Sequence, residues 1–115
     1  MLKHTIDVVF RKYKKGDIIA LFPYEIQKVN GNCLCYQHIG QHGEADYSNC
    51  IAMTVPATPT EYSTLRMELT NQIGYNMTIT KKRNSTIHYV AVMHFIDKMR
   101  LINSIHNKKK ESTPC

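Results

Sequence analysis

The sequence predicts an α+β fold: a small antiparallel sheet of three to four strands, with one packed helix and an additional C-terminal helix. Three observations support this prediction. Hydrophobic residues make up 43% of the 115 residues and charged residues 21%, which is the composition of a chain that buries a core. Short β-branched and aromatic runs, separated by turn residues, fill the first half of the chain. Two later stretches repeat their apolar residues at three- and four-residue spacing, as amphipathic helices do.

The strands are predicted from apolar runs between turn signals. Residues 5 to 13 are rich in β-branched and aromatic side chains, and a polar break follows them. Residues 18 to 22 form a second apolar run, which Pro23 should end or place at a sheet edge because proline cannot donate to a strand ladder. The pair Asn30-Gly31 predicts a type I′ hairpin turn, with a third strand directly after it.

One helix has a complete start signal. Thr58 can cap the helix, Pro59 suits the first helical position, and Glu61 completes a capping box. We therefore predict a helix over residues 59 to 73. Residues 75 to 80 alternate polar and apolar side chains, which predicts a strand that returns to the sheet.

The chain is predicted to have three parts. Residues 1 to 83 form the small α+β domain, residues 84 to 106 a helical extension, and residues 107 to 115 a disordered basic tail. The extension should be helical over about residues 86 to 104. Its apolar stripe packs either against the sheet of the same chain or against the same helix of a second copy, which would be a homodimer through residues 87 to 102. The stripe consists of Tyr89, Val92, Met93, Ile96, Met99 and Ile102.

The charge balance favours anionic partners. Lys and Arg total 15 against 9 Asp and Glu, which gives a formal net charge of +6. No apolar run approaches the roughly 20 residues that span a bilayer, and the N terminus lacks the apolar region of a signal peptide. We therefore expect a cytoplasmic protein. In a reducing compartment the four cysteines would be free thiols or metal ligands rather than disulfides.

Four potential zinc ligands lie close together in the sequence: Cys33, Cys35, His38 and His42. The Cys-X-Cys spacing on a strand points both sulfur atoms to one face without wrapping a metal ion, because side chains alternate along a strand. In the alternative interpretation the cysteines are small buried hydrophobic residues and the histidines are polar loop residues. We expect no cofactor.

The same segment contains the residue types of an acid–base or anion site. His38, His42, Glu44 and Asp46 combine imidazole with carboxylate groups, which can exchange protons near neutral pH. No nucleophile or oxyanion arrangement accompanies them, so we expect a protein that is not an enzyme. Backbone amides between the glycines could bind an anion, and a simple turn between strands is the alternative. The ligand-binding candidates are His38, Gly40, Gln41, His42, Gly43 and Tyr47.

Two basic clusters lie near the ends of predicted strands. With Tyr13 and Tyr75 close by, they could form a surface on which nucleotides or a single strand stack. The alternative is a set of charges that protects a solvated sheet edge. The candidates for contact with an anion or a nucleic acid are Arg11, Lys12, Lys14, Lys81, Lys82 and Arg83.

Several stretches of the sequence resemble a known family. They are Val9-Phe10-Arg11, the runs 16 to 23, 36 to 47 and 56 to 62, and Ile73-Gly74-Tyr75; the second run contains a specific His-Ile-Gly-Gln-His-Gly core. Over residues 6 to 83 the chain resembles a family of short proteins carried by bacteriophages, prophages and mobile elements of gut bacteria. From Asn84 onward the chain departs from the family pattern.

The resemblance implies an origin and a class of role, and it transfers no catalytic residue. It implies a non-enzymatic phage accessory protein in the bacterial host cytosol, which binds a host protein or a nucleotide-like anion. Inhibition of host antiviral defence is one role of this kind. The alternative function is a nucleic-acid-binding protein that acts through the basic strand ends.

Overall fold

The computed structural model describes residues 5–37 and 41–111, with the backbone alone for Gln41 and for residues 106–111. These residues form an α+β fold in which one six-stranded mixed sheet carries helices on both faces. The predicted fold class is confirmed, and the sheet is larger than the three to four strands expected. In chain order the elements are β1 (Thr5–Tyr13), β2 (Ile18–Ile26), β3 (Cys33–Gln37), β4 (Gln41–Ala45), α1 (Tyr47–Met53), β5 (Thr54–Pro56), α2 (Pro59–Met67) with a π-helical continuation (Glu68–Ile73), β6 (Asn76–Thr80) and α3 (Ser85–Glu111).

The sheet is mixed rather than antiparallel. Its strands follow the order β4-β3-β2-β1-β5, and β6 also pairs with β1. The β6 strand runs parallel to β1, with Thr5 opposite Asn76 and Val9 opposite Thr80. The prediction of a purely antiparallel sheet is therefore wrong. The helical crossover between β5 and β6 reverses the chain direction, and parallel neighbours need a crossover of this kind.

The β2 strand passes through Pro23 instead of ending there. Pro23 is fully buried, and the pairing of β2 with β3 is interrupted between Phe22 and Ile26. Proline is tolerated at such a bulge because no ladder hydrogen bond is required of it. The expectation that Pro23 ends the strand or sits at an edge is wrong, since β2 lies between β1 and β3.

The hairpin turn between β2 and β3 lies one residue before the predicted position. The Gly31 amide donates to the Lys28 carbonyl at 2.9 Å, and Gly31 has a φ of 94°, which favours glycine. The central pair of the turn is therefore Val29 and Asn30, one residue before the predicted pair. The third strand begins at Cys33, directly after the turn, as predicted.

The helix predicted over residues 59 to 73 is confirmed. The hydroxyl of Thr58 accepts from the Glu61 amide and the Glu61 carboxylate accepts from the Thr58 amide, which completes the capping box. The last six residues are π-helical, and Gly74 ends the segment with a φ of 89°.

Each face of the sheet carries its own hydrophobic cluster. On the first face, which we call the α2 face, α2 and its continuation pack on the sheet; its buried residues are Val8, Phe10, Ala20, Phe22, Tyr36, Tyr62, Leu65 and Leu69. The second face, which we call the α1 face, is covered by α1; its buried residues are Val9, Ile19, Leu21, Cys33, Cys35, Ala45 and Tyr47. This separation follows from the alternation of side chains along each strand.

The C-terminal helix α3 is attached to the domain near its first turns. The Asn84 amide donates to the Tyr24 hydroxyl at 2.7 Å, and the His88 ring approaches Gly31. Among the side chains that the structure describes, no α3 residue is buried and none belongs to either cluster. The helix continues to Glu111, beyond the predicted end near residue 104, and residues 112 to 115 lie outside the described residues. No helix within the described ranges has the length and apolarity that a membrane crossing requires.

Candidate anion-binding groove

The candidate site lies at the end of the sheet where β1 turns into β2. A groove of about 690 Å³ runs between this hairpin, the end of β3, and the junction of α1 with β5. Basic side chains from the hairpin and apolar side chains from the junction line it. The lining residues are Lys12, Tyr13, Lys14, Lys15, Asp17, Gln37, Ala52, Met53, Thr54 and Val55.

The rim of the groove is basic because of the geometry of the hairpin. The Tyr13 amide donates to the Asp17 carbonyl at 2.9 Å, which leaves a three-residue loop that Gly16 closes with a φ of 100°. The two other loop residues, Lys14 and Lys15, are exposed, and within the described residues neither forms an ion pair. Both lysines are therefore available to an anion.

The wall of the groove consists of apolar side chains that remain exposed to solvent. Met53 ends α1 and Val55 lies in β5, and their side chains remain 58% and 57% exposed. The β5 strand is held in place because it pairs with β1, with Val55 opposite Lys12. Two large apolar side chains therefore stand beside the lysines with nothing covering them in the described chain.

Arg11 belongs to the predicted basic cluster, but its side chain supports the groove from inside. It is 8% exposed, and its guanidinium donates to the Thr54 hydroxyl at 2.9 Å and to the Thr54 carbonyl at 2.7 Å. A further hydrogen bond of 3.1 Å reaches the Ile51 carbonyl. Arg11 thus fixes the α1–β5 junction and is not free to bind an anion. Lys12 is also occupied, because its ammonium group pairs with the Glu61 carboxylate.

The second basic cluster follows β6, which runs parallel to β1 and ends opposite Val9, four residues before β1 ends at Tyr13. Lys81 and Lys82 follow β6 and are exposed. Arg83 instead packs its guanidinium 4.4 Å from the centre of the Tyr47 ring, and its amide donates to the Tyr47 hydroxyl at 2.8 Å. Of the six predicted contact residues, three therefore have exposed charges that pair with no other described residue: Lys14, Lys81 and Lys82.

The predicted glycine-loop site is divided by the sheet. His42 lies on the α2 face, where its Nε2 atom is 3.0 Å from the Tyr75 hydroxyl. Gly43 and Tyr47 lie on the α1 face, and a Cβ atom on Gly43 would meet the Cys35 sulfur at 3.5 Å. The side chains of His42 and Tyr47 thus lie on opposite faces of the sheet, although His42 and Gly43 both line one polar groove. His38 and Gly40 lie outside the described residues, as does the side chain of Gln41.

The three described members of the predicted metal site do not lie on one face, and the fourth, His38, is outside the described residues. Cys33 and Cys35 share the α1 face, as their alternation predicts, whereas His42 is on the opposite face. Burial raises the pKa of Cys33 to about 12 and also raises that of Cys35, so both thiols are protonated at neutral pH. Among the described residues no group of three His, Cys, Asp or Glu side chains could hold a metal ion.

A second, polar groove of about 750 Å³ continues from the first and shares Tyr13 and Gln37 with it. His42, Gly43, Glu44 and Asp46 line this groove, so it contains the three described members of the predicted acid–base set, and its two carboxylates are opposite in charge to the lysine rim. Between the two grooves, burial and the hydrogen bond with Cys50 raise the pKa of Tyr13 to about 12. The phenol is therefore a neutral hydrogen-bonding group at neutral pH.

Sequence reasoning missed the apolar half of the site. It predicted no regular element between residues 38 and 54, although Asp46 caps α1 by accepting from the Asn49 amide at 3.3 Å. An aspartate before a short apolar run is a helix-start signal that could have located α1, and with it Met53. Comparison with models of protein families, with curated proteins and with solved structures finds no match for this chain.

Proposed function

We propose that this chain is a binding protein whose basic groove takes an acidic, partly apolar segment of a partner protein. One observation carries the proposal. Lys14 and Lys15, which form no ion pair with another described residue, line the same groove as the exposed side chains of Met53 and Val55. Lysines attract carboxylates and speed their encounter, while exposed apolar side chains gain free energy when a partner covers them. Methionine adapts its shape to different partners.

The form of the positive charge favours a peptide over a small phosphate ligand. Tight phosphate sites use arginine forks or convergent backbone amides, and here the Arg11 fork is occupied by Thr54. Lys14 and Lys15 are separate charges on long flexible side chains, which suit the spaced carboxylates of an extended segment. The family resemblance implies that the partner is a protein of the bacterium that carries the bacteriophage or mobile element.

The test is fluorescence anisotropy with a labelled peptide of alternating glutamate and leucine. The variant Lys14→Gln/Lys15→Gln should weaken binding roughly tenfold, because each exposed charge contributes up to about 0.7 kcal/mol. The variant Met53→Gln/Val55→Thr should weaken binding of this peptide and leave binding of an all-glutamate peptide unchanged.

The matched control is Lys28→Gln/Arg66→Gln, which removes two exposed cations that do not line the groove; one of them, Lys28, pairs with Glu44 at 3.4 Å. This control changes the net charge by the same amount, so it should bind nearly as well as the wild type if the groove is the site. Equal loss of affinity in the control and in the groove variant would show a nonspecific charge effect and would overturn the proposal.

A second candidate function is binding of single-stranded nucleic acid. It is favoured by the parallel pairing of β6 with β1, because both strands lead in the same direction towards exposed lysines: Lys81 and Lys82 after β6, and Lys14 after β1. Binding of labelled oligothymidine should then fall steeply with salt, because each neutralised phosphate releases counterions. The variant Lys81→Gln/Lys82→Gln should bind the oligonucleotide more weakly, and its affinity should fall less steeply with salt concentration than that of the wild type. If the variant binds the oligonucleotide as tightly as the wild type at low salt, this function is excluded.

A further inference from the structure

Apolar residues lie around most of the circumference of α3, and the domain covers only one side of the helix. One side, with Val92 as an example, is half-buried and approaches the β2–β3 turn at Gly31. On the opposite part of its circumference Ile87, Val90 and Leu101 remain 50%, 59% and 62% exposed. A helix that is apolar around most of its circumference is stable in water when a second surface covers it.

The exposed residues follow a coiled-coil spacing. Steps of three, four, three and four residues lead from Ile87 through Val90, His94 and Asp97 to Leu101, and these positions form one continuous stripe on a helix. We call this stripe the α3 seam. It differs from the stripe predicted from the sequence, whose Val92, Met93, Ile96 and Met99 are half-buried, while its Tyr89 and Ile102 are exposed.

Two copies of the α3 seam are complementary to each other when the helices run antiparallel. A two-fold axis between residues 95 and 96 places His94 opposite Asp97 of the partner subunit, and Val90 opposite Leu101 of the partner subunit. The two imidazole–carboxylate pairs then lie at the centre, with an apolar contact on each side. In a parallel pair each Asp97 would face its own copy, and the lysine run 108 to 110 of each chain would lie beside the other, so like charges would repel.

We propose that the α3 seam is a homodimer interface in which two copies pair antiparallel about this axis. The contact is isologous, since the same residues of both subunits form it. The Asp97 carboxylate is available for it, because its contact with Arg100 in the same helix is long, at 3.9 Å, and both side chains are largely exposed. The proposal is independent of the anion-binding groove, which lies at the β1–β2 hairpin.

The first test compares two neighbouring substitutions by analytical ultracentrifugation. Val90→Asp puts a charge in the seam, whereas Tyr89→Asp puts the same charge about 100° away around the helix. The two side chains are 59% and 65% exposed, so both variants should fold, as circular dichroism can verify. We expect Val90→Asp to weaken dimerisation roughly 100-fold, because two-fold symmetry introduces the charge twice, and Tyr89→Asp to stay dimeric.

The second test reads the orientation of the helices. In the antiparallel pair His94→Glu brings a carboxylate to Asp97 of the partner subunit, so this single variant should dimerise more weakly than the wild type. The double variant His94→Glu/Asp97→Lys should dimerise at least as well as the wild type, because each introduced carboxylate then meets an introduced ammonium group across the axis. In a parallel pair both substituted positions of the double variant would face their own copies, and like charges would repel at each of them.

Three outcomes would overturn the proposal. A wild-type chain that stays monomeric at about 1 mM lacks the interface at any useful affinity. Equal weakening by Val90→Asp and Tyr89→Asp would place the contact elsewhere on α3. A double variant His94→Glu/Asp97→Lys that is folded but monomeric, while the wild type is a dimer, would exclude the antiparallel register.

Discussion

Arg11 and Lys14 stand three positions apart in one basic cluster, yet their side chains have different environments. The Arg11 guanidinium is buried and donates three hydrogen bonds to the Ile51–Thr54 segment, whereas Lys14 is exposed in the hairpin loop. Alternation along β1 directs Arg11 to the α1 face, where the junction of α1 and β5 meets it. The same positive charge therefore serves packing at one position and is free to contact a partner at the other.

Replacement of Arg11 by lysine should destabilise the domain by about 2 kcal/mol, because an ammonium group cannot reproduce three donors in a planar fork and leaves buried carbonyls unpaired. Urea unfolding monitored by circular dichroism measures the change. The control is Lys14→Gln, which should alter the free energy of unfolding by less than about 0.5 kcal/mol. Equal stability of Arg11→Lys and the wild type would contradict the structural role of the guanidinium.

The alternation of side chains in the sequence predicts which face a residue occupies, but it does not predict what covers that face. It placed Cys33 and Cys35 together on one face, which is confirmed. It could not separate the structural Arg83, which packs on Tyr47, from the exposed Lys82, because that difference depends on a contact across 36 residues. Half of the predicted contact residues are therefore structural.

At the scale of elements, the long segments with a capping or turn signal were predicted well and the short ones were not. The helix after Thr58 and the turn at Gly31 have local signals that tertiary structure does not override. The β4 and β5 strands and α1 have three to seven residues each, which is too short for periodicity to identify them. The direction of β6 depends on the crossover before it, which no local pattern encodes.

The ion pair between Lys12 of β1 and Glu61 of α2 should make the free energy of unfolding depend on pH in the acidic range. The hydrogen bond from the Lys12 ammonium, followed by the Thr58 amide, lowers the pKa of Glu61 from 4.5 to about 2. Because the folded-state pKa is the lower one, this contribution is complete above pH 4.5 and is lost as the pH falls towards 2. In urea unfolding between about pH 6 and pH 2, Glu61→Gln should lose less stability than the wild type, while glutamine preserves the capping box.

Lys12→Met provides the control for this pH dependence. It removes the first cause of the lowered pKa without touching Glu61, so the pH dependence should again be shallower than in the wild type. If both variants lose stability with pH as steeply as the wild type, the acid sensitivity of the domain comes from other carboxyl groups.

At the scale of the whole molecule, the two core clusters account for the sheet, α1 and α2, and α3 is added to this unit. The core clusters contain no α3 side chain within the described residues, and α3 meets the domain at its first turns and along a half-buried side that extends to Met99. The sequence predicted a helical extension from residue 84, and α3 begins at Ser85. It could not indicate which side of the helix meets the domain, because apolar residues surround most of the helix.

The separation of α3 from the core leads to a prediction for a chain that ends at Arg100. This truncation removes residues 101 to 115, of which the five with described side chains, 101 to 105, are all exposed in the single chain. It should therefore change the free energy of unfolding by less than about 0.5 kcal/mol at a concentration where the wild type is monomeric. The truncated chain also lacks Leu101, the seam partner of Val90. The midpoint of thermal unfolding should therefore rise with protein concentration for the wild type and stay constant for the truncated chain, because association stabilises only the folded state that associates. Differential scanning calorimetry over a range of concentrations measures both effects.

A truncated chain that is clearly less stable at low concentration would mean that the end of α3 packs on its own domain. A midpoint that rises equally in both chains would place the association on another surface.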